Sequence, residues 1–120
     1  MVRADLKELA RTLADWVSPA PNFIIYLFGS RVRGDQKPTS DVDVVIQHGK
    51  TLTEADMQWW TDINNDLFKT IDAALPGKLH ILENNDPVTQ LVLSAAACPY
   101  YQDRQVVCVQ LPSHRRATKP

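Results

Sequence analysis

Six consecutive apolar residues, Phe23-Ile24-Ile25-Tyr26-Leu27-Phe28, run straight into Gly29-Ser30. The run is too short for a buried helix, and its β-branched and aromatic content suits a strand. Because it is apolar at every position, that strand must be covered on both faces. The chain supplies the cover. Leu6, Leu9, Ala10, Leu13 and Val17 recur at three and four residues and predict a helix over 4–17, ended by Ser18-Pro19-Ala20-Pro21. Thr53 with Asp56 reads as a capping box, with Asp in place of the usual Glu, opening a helix over 53–75. Trp59, Trp60, Phe68 and Ile71 form its inward face, and one of the two adjacent tryptophans is expected at a partner surface. Pro76-Gly77 stops it. Asp86-Pro87 caps a further helix bearing Val88, Leu91, Val92 and Ala95, closed by Pro99.

Strand character returns over 41–47, 78–83 and 104–111. The resulting order describes a small α/β (α+β) domain, a mixed sheet of three to four strands flanked by helices. It reads as a single domain over 1–120, with 111–120 a flexible basic tail carrying His114, Arg115, Arg116 and Lys119.

Composition narrows the functional classes. Hydrophobic residues at 44% and charged residues at 22% exclude a mostly disordered chain. Thirteen basic against fourteen acidic side chains leave a net charge of -1, which speaks against nucleic-acid binding by bulk electrostatics. No apolar stretch is long enough to span a membrane, and the amphipathic pattern from the N-terminus onward leads us to expect no secretory leader. Cys98 and Cys108 form neither a disulfide framework nor a closely spaced metal pair; both read as buried free thiols, and a cytoplasmic location is expected.

One constellation carries chemistry. Glycine at a strand end permits backbone angles closed to other residues and lets a ligand approach. If the amides after it open a helical turn, they converge on an anion. Ser30 adds a hydroxyl donor, and the guanidinium groups of Arg31 and Arg33 suit phosphate oxygens. Downstream, Ser40-Asp41-Val42-Asp43-Val44 places two carboxylates two residues apart in a strand, hence on one face. Two anions so close repel unless a cation joins them, and Mg²⁺ takes oxygen ligands shared with substrate phosphates. Set among valines, they have no structural reason to be there unpaired.

Gly29-Ser30, a polar loop, then Asp41-Val42-Asp43-Val44 resembles the signature of the DNA polymerase β-type nucleotidyltransferase superfamily. The Gly-Ser-x-x-x-Gly opening over 29–34 is similar to that of minimal nucleotidyltransferases, often paired as antitoxins with a helical HEPN-type toxin. The resemblance covers about residues 23–83. It implies a Mg²⁺- (or Mn²⁺-) dependent enzyme that moves a nucleotidyl group, AMP from ATP or another NTP, onto a hydroxyl and releases pyrophosphate. It implies Gly29 and Ser30 as holding the triphosphate, Asp41 and Asp43 as metal ligands, and a third carboxylate in a later strand; Arg31, Arg33 and Ser40 are expected beside them as nucleotide-binding residues.

In this chain that slot holds His80, with Glu83 three positions on. Three accounts stay open. His80 acts as a neutral base or a softer metal ligand; Glu83 swings in from an irregular strand; or the third role is lost and activity with it. The expected function is therefore nucleotidyl transfer to a partner protein by an antitoxin. The alternatives are a nucleotide-binding module acting by contact, and an antibiotic nucleotidyltransferase completed by a dimer interface. A homo-oligomer is compatible with all three.

Overall fold

The computed structural model describes residues 2–63 and 66–111, with only the backbone for 66–68. The expected tail over 112–120 and the expected core side chain of Phe68 lie outside the described residues. Helix α1 (Ala4–Val17) leads into β1 (Phe23–Phe28), a single-turn helix α2 (Ser30–Arg33) and β2 (Val42–His48). Helices α3 (Glu54–Ile63) and α4 (Asp66–Ala74), strand β3 (Leu79–Ile81), helix α5 (Pro87–Ala95) and strands β4 (Tyr101–Asp103) and β5 (Val106–Cys108) follow.

The sheet has five strands in the order β3-β2-β1-β5-β4. Strand β1 runs antiparallel to β2 and parallel to β5; β2 runs parallel to β3; β4 and β5 are antiparallel. The mixed α+β class is as expected, with one strand more. The extra strand is β4, which precedes the segment expected as a strand over 104–111; that segment supplies β5. The chain reverses between β4 and β5 at Arg104, whose φ of 49° lies in the left-handed region. The helix expected over 53–75 is described as α3 and α4, on either side of residues 64–65, which lie outside the described residues. The strand expected over 78–83 is confined to Leu79–Ile81.

The apolar run of β1 is covered fully on one face and only in part on the other, where Ile24 is exposed and Tyr26 half-buried. Phe23, Ile25 and Leu27 pack with Leu6, Leu13, Trp59, Ile63 and Ile71 from α1, α3 and α4. Phe28 packs on the other face with Val45, Val107 and Val92 of α5. Strand β2 alternates in the same way. Val42, Val44 and Ile46 join the first cluster, so Asp43 falls on the opposite face. Of the adjacent tryptophans, Trp59 is buried, donates its indole N–H to the Trp16 carbonyl (2.9 Å) and meets the Trp16 ring edge-on. Trp60 is the exposed one, stacked on Phe23. The expectation of two buried thiols holds for Cys108 alone, since Cys98 is exposed. Burial, helped by the charge of Asp103, pushes the Cys108 thiol up to about 12, so it stays protonated and unreactive at neutral pH. Among the described residues no helix is long and apolar enough to cross a membrane.

The capping box does more than start α3. The Asp56 carboxylate is fully buried. It accepts from the Thr53 amide (2.8 Å) and hydroxyl (2.9 Å) and from the Asn22 amide (3.0 Å) and side-chain Nδ2 (2.7 Å). The start of α3 is thereby tied to the residue just before β1. Burial alone would raise the Asp56 pKa, but these donors outweigh it and hold it at about 2. A carboxyl whose folded pKa lies below its ordinary value near 3.8 stabilises the fold above that value and loses the contribution as pH falls toward 2. Asp56→Asn should therefore lower the urea midpoint at neutral pH, with the deficit against wild type shrinking between pH 4 and pH 2. A deficit that stays constant across that range would mean that ionised Asp56 is not the source.

Candidate active site

Strand β1 ends at Gly29, where φ is 89° and ψ is -159°, a conformation essentially reserved for glycine. The constraint is steric as well as conformational. A Cβ at Gly29 would lie 2.7 Å from Oδ2 of Asp43. The chain then makes the α2 turn, with the amides of Val32 and Arg33 returning to the Gly29 carbonyl, both at 3.1 Å. Gly34, at φ 93°, closes α2 by donating to the Ser30 carbonyl. The amides that open such a turn have no partner within it and point along its axis.

Register brings the rest together. In the antiparallel β1–β2 pair, Phe28 faces Asp43; in the parallel β2–β3 pair, Asp43 faces His80. The Val42 amide on the Lys78 carbonyl (2.8 Å) and the Leu82 amide on the Val44 carbonyl (2.9 Å) fix that second register. Residues paired on neighbouring strands share a face, so His80 is delivered to Asp43 by the ladder itself. His80 Nδ1 lies 3.1 Å from Asp43 Oδ1. Asp41, Asp43 and His80 each offer a ligand atom, all within 4.8 Å of one another. Two carboxylates and an imidazole so placed could hold a divalent metal ion.

The other expected residues divide. Ser30 opens α2 directly beside this cluster. Arg33 is exposed, and its Nε meets Asp35 at 3.3 Å. Arg31 is not exposed like Arg33. It is buried and donates from Nε (3.2 Å) and Nη2 (2.8 Å) to the carbonyl of Ser40. The Ser40 hydroxyl is likewise engaged, accepting from the Lys37 amide at 2.8 Å. Glu83 lies beyond β3 and is exposed. Its carbonyl anchors α5 by accepting from the Thr89 hydroxyl (2.7 Å). The cluster thus takes in His80 and leaves Glu83 out.

Two residues went unnoticed in the sequence. Arg3 reaches across from the start of α1 and donates to the carbonyls of Arg31 and Val32. Gly77, read as a helix stop, packs so closely that a Cβ there would lie 2.2 Å from the Ser40 oxygen. Neither position carries a local signal, since both matter only through segments distant in the chain.

The family model described as Polymerase beta, Nucleotidyltransferase matches residues 19–96, more than half of the chain. The chain belongs to this family. The match runs from just before β1 through α5 and so contains the glycine turn, both aspartates and His80. Nucleotidyl transfer is the chemistry of the family, and the five-stranded α+β sheet is consistent with its domain. No curated protein and no solved structure matches the chain.

The turn at Gly29 yields a test. Gly29→Ala puts a methyl group where the Asp43 carboxylate sits, in backbone geometry that costs a side chain on the order of 1–3 kcal/mol. The variant should melt at lower temperature and bind Mn²⁺ more weakly by electron paramagnetic resonance titration. Unchanged Mn²⁺ affinity would show that Asp43 has no part in holding the ion.

Proposed function

We propose that this nucleotidyltransferase domain moves AMP from ATP, with Mg²⁺ or Mn²⁺, onto a hydroxyl of a partner protein. We take that partner to be a helical HEPN-type toxin for which this chain is the antitoxin. The observation that carries the transfer half is the convergence of the Gly29 turn with Asp41, Asp43 and His80 at one end of three adjacent strands. The partner half rests on the Gly-Ser-x-x-x-Gly opening shared with minimal nucleotidyltransferases. It is supported by the apolar surface that Met57 and Trp60 expose on α3, of the kind proteins bury on association.

Asp41 and Asp43 would hold the cation, which when bound offsets the charge of the triphosphate and of the oxygens around the attacked phosphorus. The amides opening α2 and the Ser30 hydroxyl receive the β- and γ-phosphates. Arg33 is bound to its neighbour Asp35 by a surface ion pair, which is weak, so it can turn to a phosphate oxygen. His80 serves the acceptor. A carboxylate only accepts, so in the neutral ring Nδ1 carries the hydrogen shared with Asp43, and Nε2 keeps a lone pair. Nε2 takes the acceptor's proton as the hydroxyl oxygen bonds to the α-phosphorus. The bond from that phosphorus to the bridging oxygen breaks, and pyrophosphate leaves.

The test is pyrophosphate release in a mixture of the protein, labelled ATP, Mg²⁺ and the candidate partner. Wild type should release it and label the partner, and Asp43→Asn should do neither. His80→Ala should slow transfer by about 10²–10⁴. Ser30→Ala should weaken Mg·ATP binding by about 1.5–3 kcal/mol in calorimetry. One observation favours a second reading, a module that neutralises its partner by contact: an imidazole stands where the family carries a third carboxylate. That reading wins if wild type and Asp43→Asn neutralise the partner equally well and neither releases pyrophosphate.

A further inference from the structure

The two aspartates are anchored differently. Asp43 sits inside the ladder, between Phe28 and His80. Asp41 precedes the first residue of β2 and is exposed, so neither strand pairing nor packing fixes its side chain. What can be fixed is the backbone on either side of it. On the C-terminal side, the Val42 amide is bound to the Lys78 carbonyl at 2.8 Å. On the N-terminal side, the Ser40 carbonyl takes both donors of the Arg31 guanidinium. A peptide group is planar, so that carbonyl oxygen, the Asp41 nitrogen and the Asp41 Cα move as one rigid plate. With both flanking plates held, both backbone torsions of Asp41 are set.

The geometry points to Arg31 as a positioning residue that aims the Asp41 carboxylate at the metal through the Ser40 carbonyl, rather than a ligand of the nucleotide. The inference rests on the proposed role of Asp41 as a metal ligand. The guanidinium is itself well placed to act as a fixed strut. It is 8% exposed, and Arg3 ties down the carbonyls of Arg31 and Val32 from the other side of α2. Gly77 closes the remaining side. A Cβ there would stand 2.2 Å from the Ser40 oxygen and 2.9 Å from Arg31 Nη2, so the turn leading to β3 leans directly on the contact. A buried guanidinium is a costly way merely to brace a loop, because its charge must be taken out of water for the gain of one carbonyl. The cost is understandable if the geometry of the next residue matters. One strut then joins the three segments that carry the site: the α2 turn, the approach to Asp41 and the approach to His80.

Mn²⁺ titrations by electron paramagnetic resonance, with a thermal melt of each protein, decide the matter. The full chain is compared with Arg31→Lys, Gly77→Ala and Asp43→Asn. Arg31→Lys keeps the charge but cannot reproduce the planar fork. Gly77→Ala keeps the guanidinium in the chain but crowds the contact itself, pressing on both the Ser40 oxygen and Arg31 Nη2. Both should weaken Mn²⁺ binding by about 10–100-fold, the usual penalty for losing a group that orients a metal ligand, while Asp43→Asn should lose the site. Should Gly77→Ala fail to fold, Arg31→Lys still decides. A folded Arg31→Lys protein that melts earlier yet binds Mn²⁺ as wild type does would reduce Arg31 to a brace and overturn the proposal alone. If wild type shows no Mn²⁺ site sensitive to Asp43→Asn, the metal role of the aspartates fails, and the positioning role with it.

Discussion

Everything at the site follows from one pairing across three strands, in which Asp43 stands between Phe28 and His80. The pairing has no freedom to slip. A shift of one residue between β1 and β2 would turn Val42, Val44 and Ile46 out of the core and bring Asp43 in. The same hydrophobic burial that stabilises the sheet therefore dictates which face the carboxylate occupies. It also explains Gly29. With Asp43 held opposite the last residue of β1, the next residue has its Cβ position already taken by a carboxylate oxygen, and only glycine fits.

The two arginines of α2 show how residues close in sequence acquire opposite surroundings. On a single helical turn, residues two apart face different ways. Arg33 faces solvent and pairs with Asp35. Arg31 faces inward and meets a backbone carbonyl. Both were expected to hold the nucleotide, because residue type and proximity to Gly-Ser are all that the chain displays. The distinction emerges only when the loop over 34–40 folds back and Gly77 arrives from beyond α4.

The local features were legible: the buried strand 23–28, the helix 4–17, the Thr53–Asp56 capping box, and the Asp86-Pro87 start of α5. Each depends on residues within a few positions of one another. The Asp41–Asp43 pair was legible from its spacing, although Asp41 lies one residue before β2, which runs Val42–His48 rather than over 41–47. The placement of His80 over Glu83 was not, since it depends on the β2–β3 register and on where β3 stops. Nor was the Asp56 network, whose Asn22 half joins residues far apart in the chain. Here the carboxylate expected as a helix cap also fastens the entry to β1, which places the strand that ends in Gly29. The β4–β5 hairpin was missed because its reversal is made by Arg104 rather than by a glycine or proline.

The central claim is that the glycine turn and the Asp41–Asp43 pair form one site for a metal-bound triphosphate. Crystals grown with Mn²⁺ and a non-hydrolysable ATP analogue, measured at the manganese absorption edge, test it directly. The account predicts an anomalous peak bounded by the carboxylates of Asp41 and Asp43, with the analogue's phosphates on the amides after Gly29. Manganese elsewhere in the protein, or a triphosphate bound away from that turn, would contradict it.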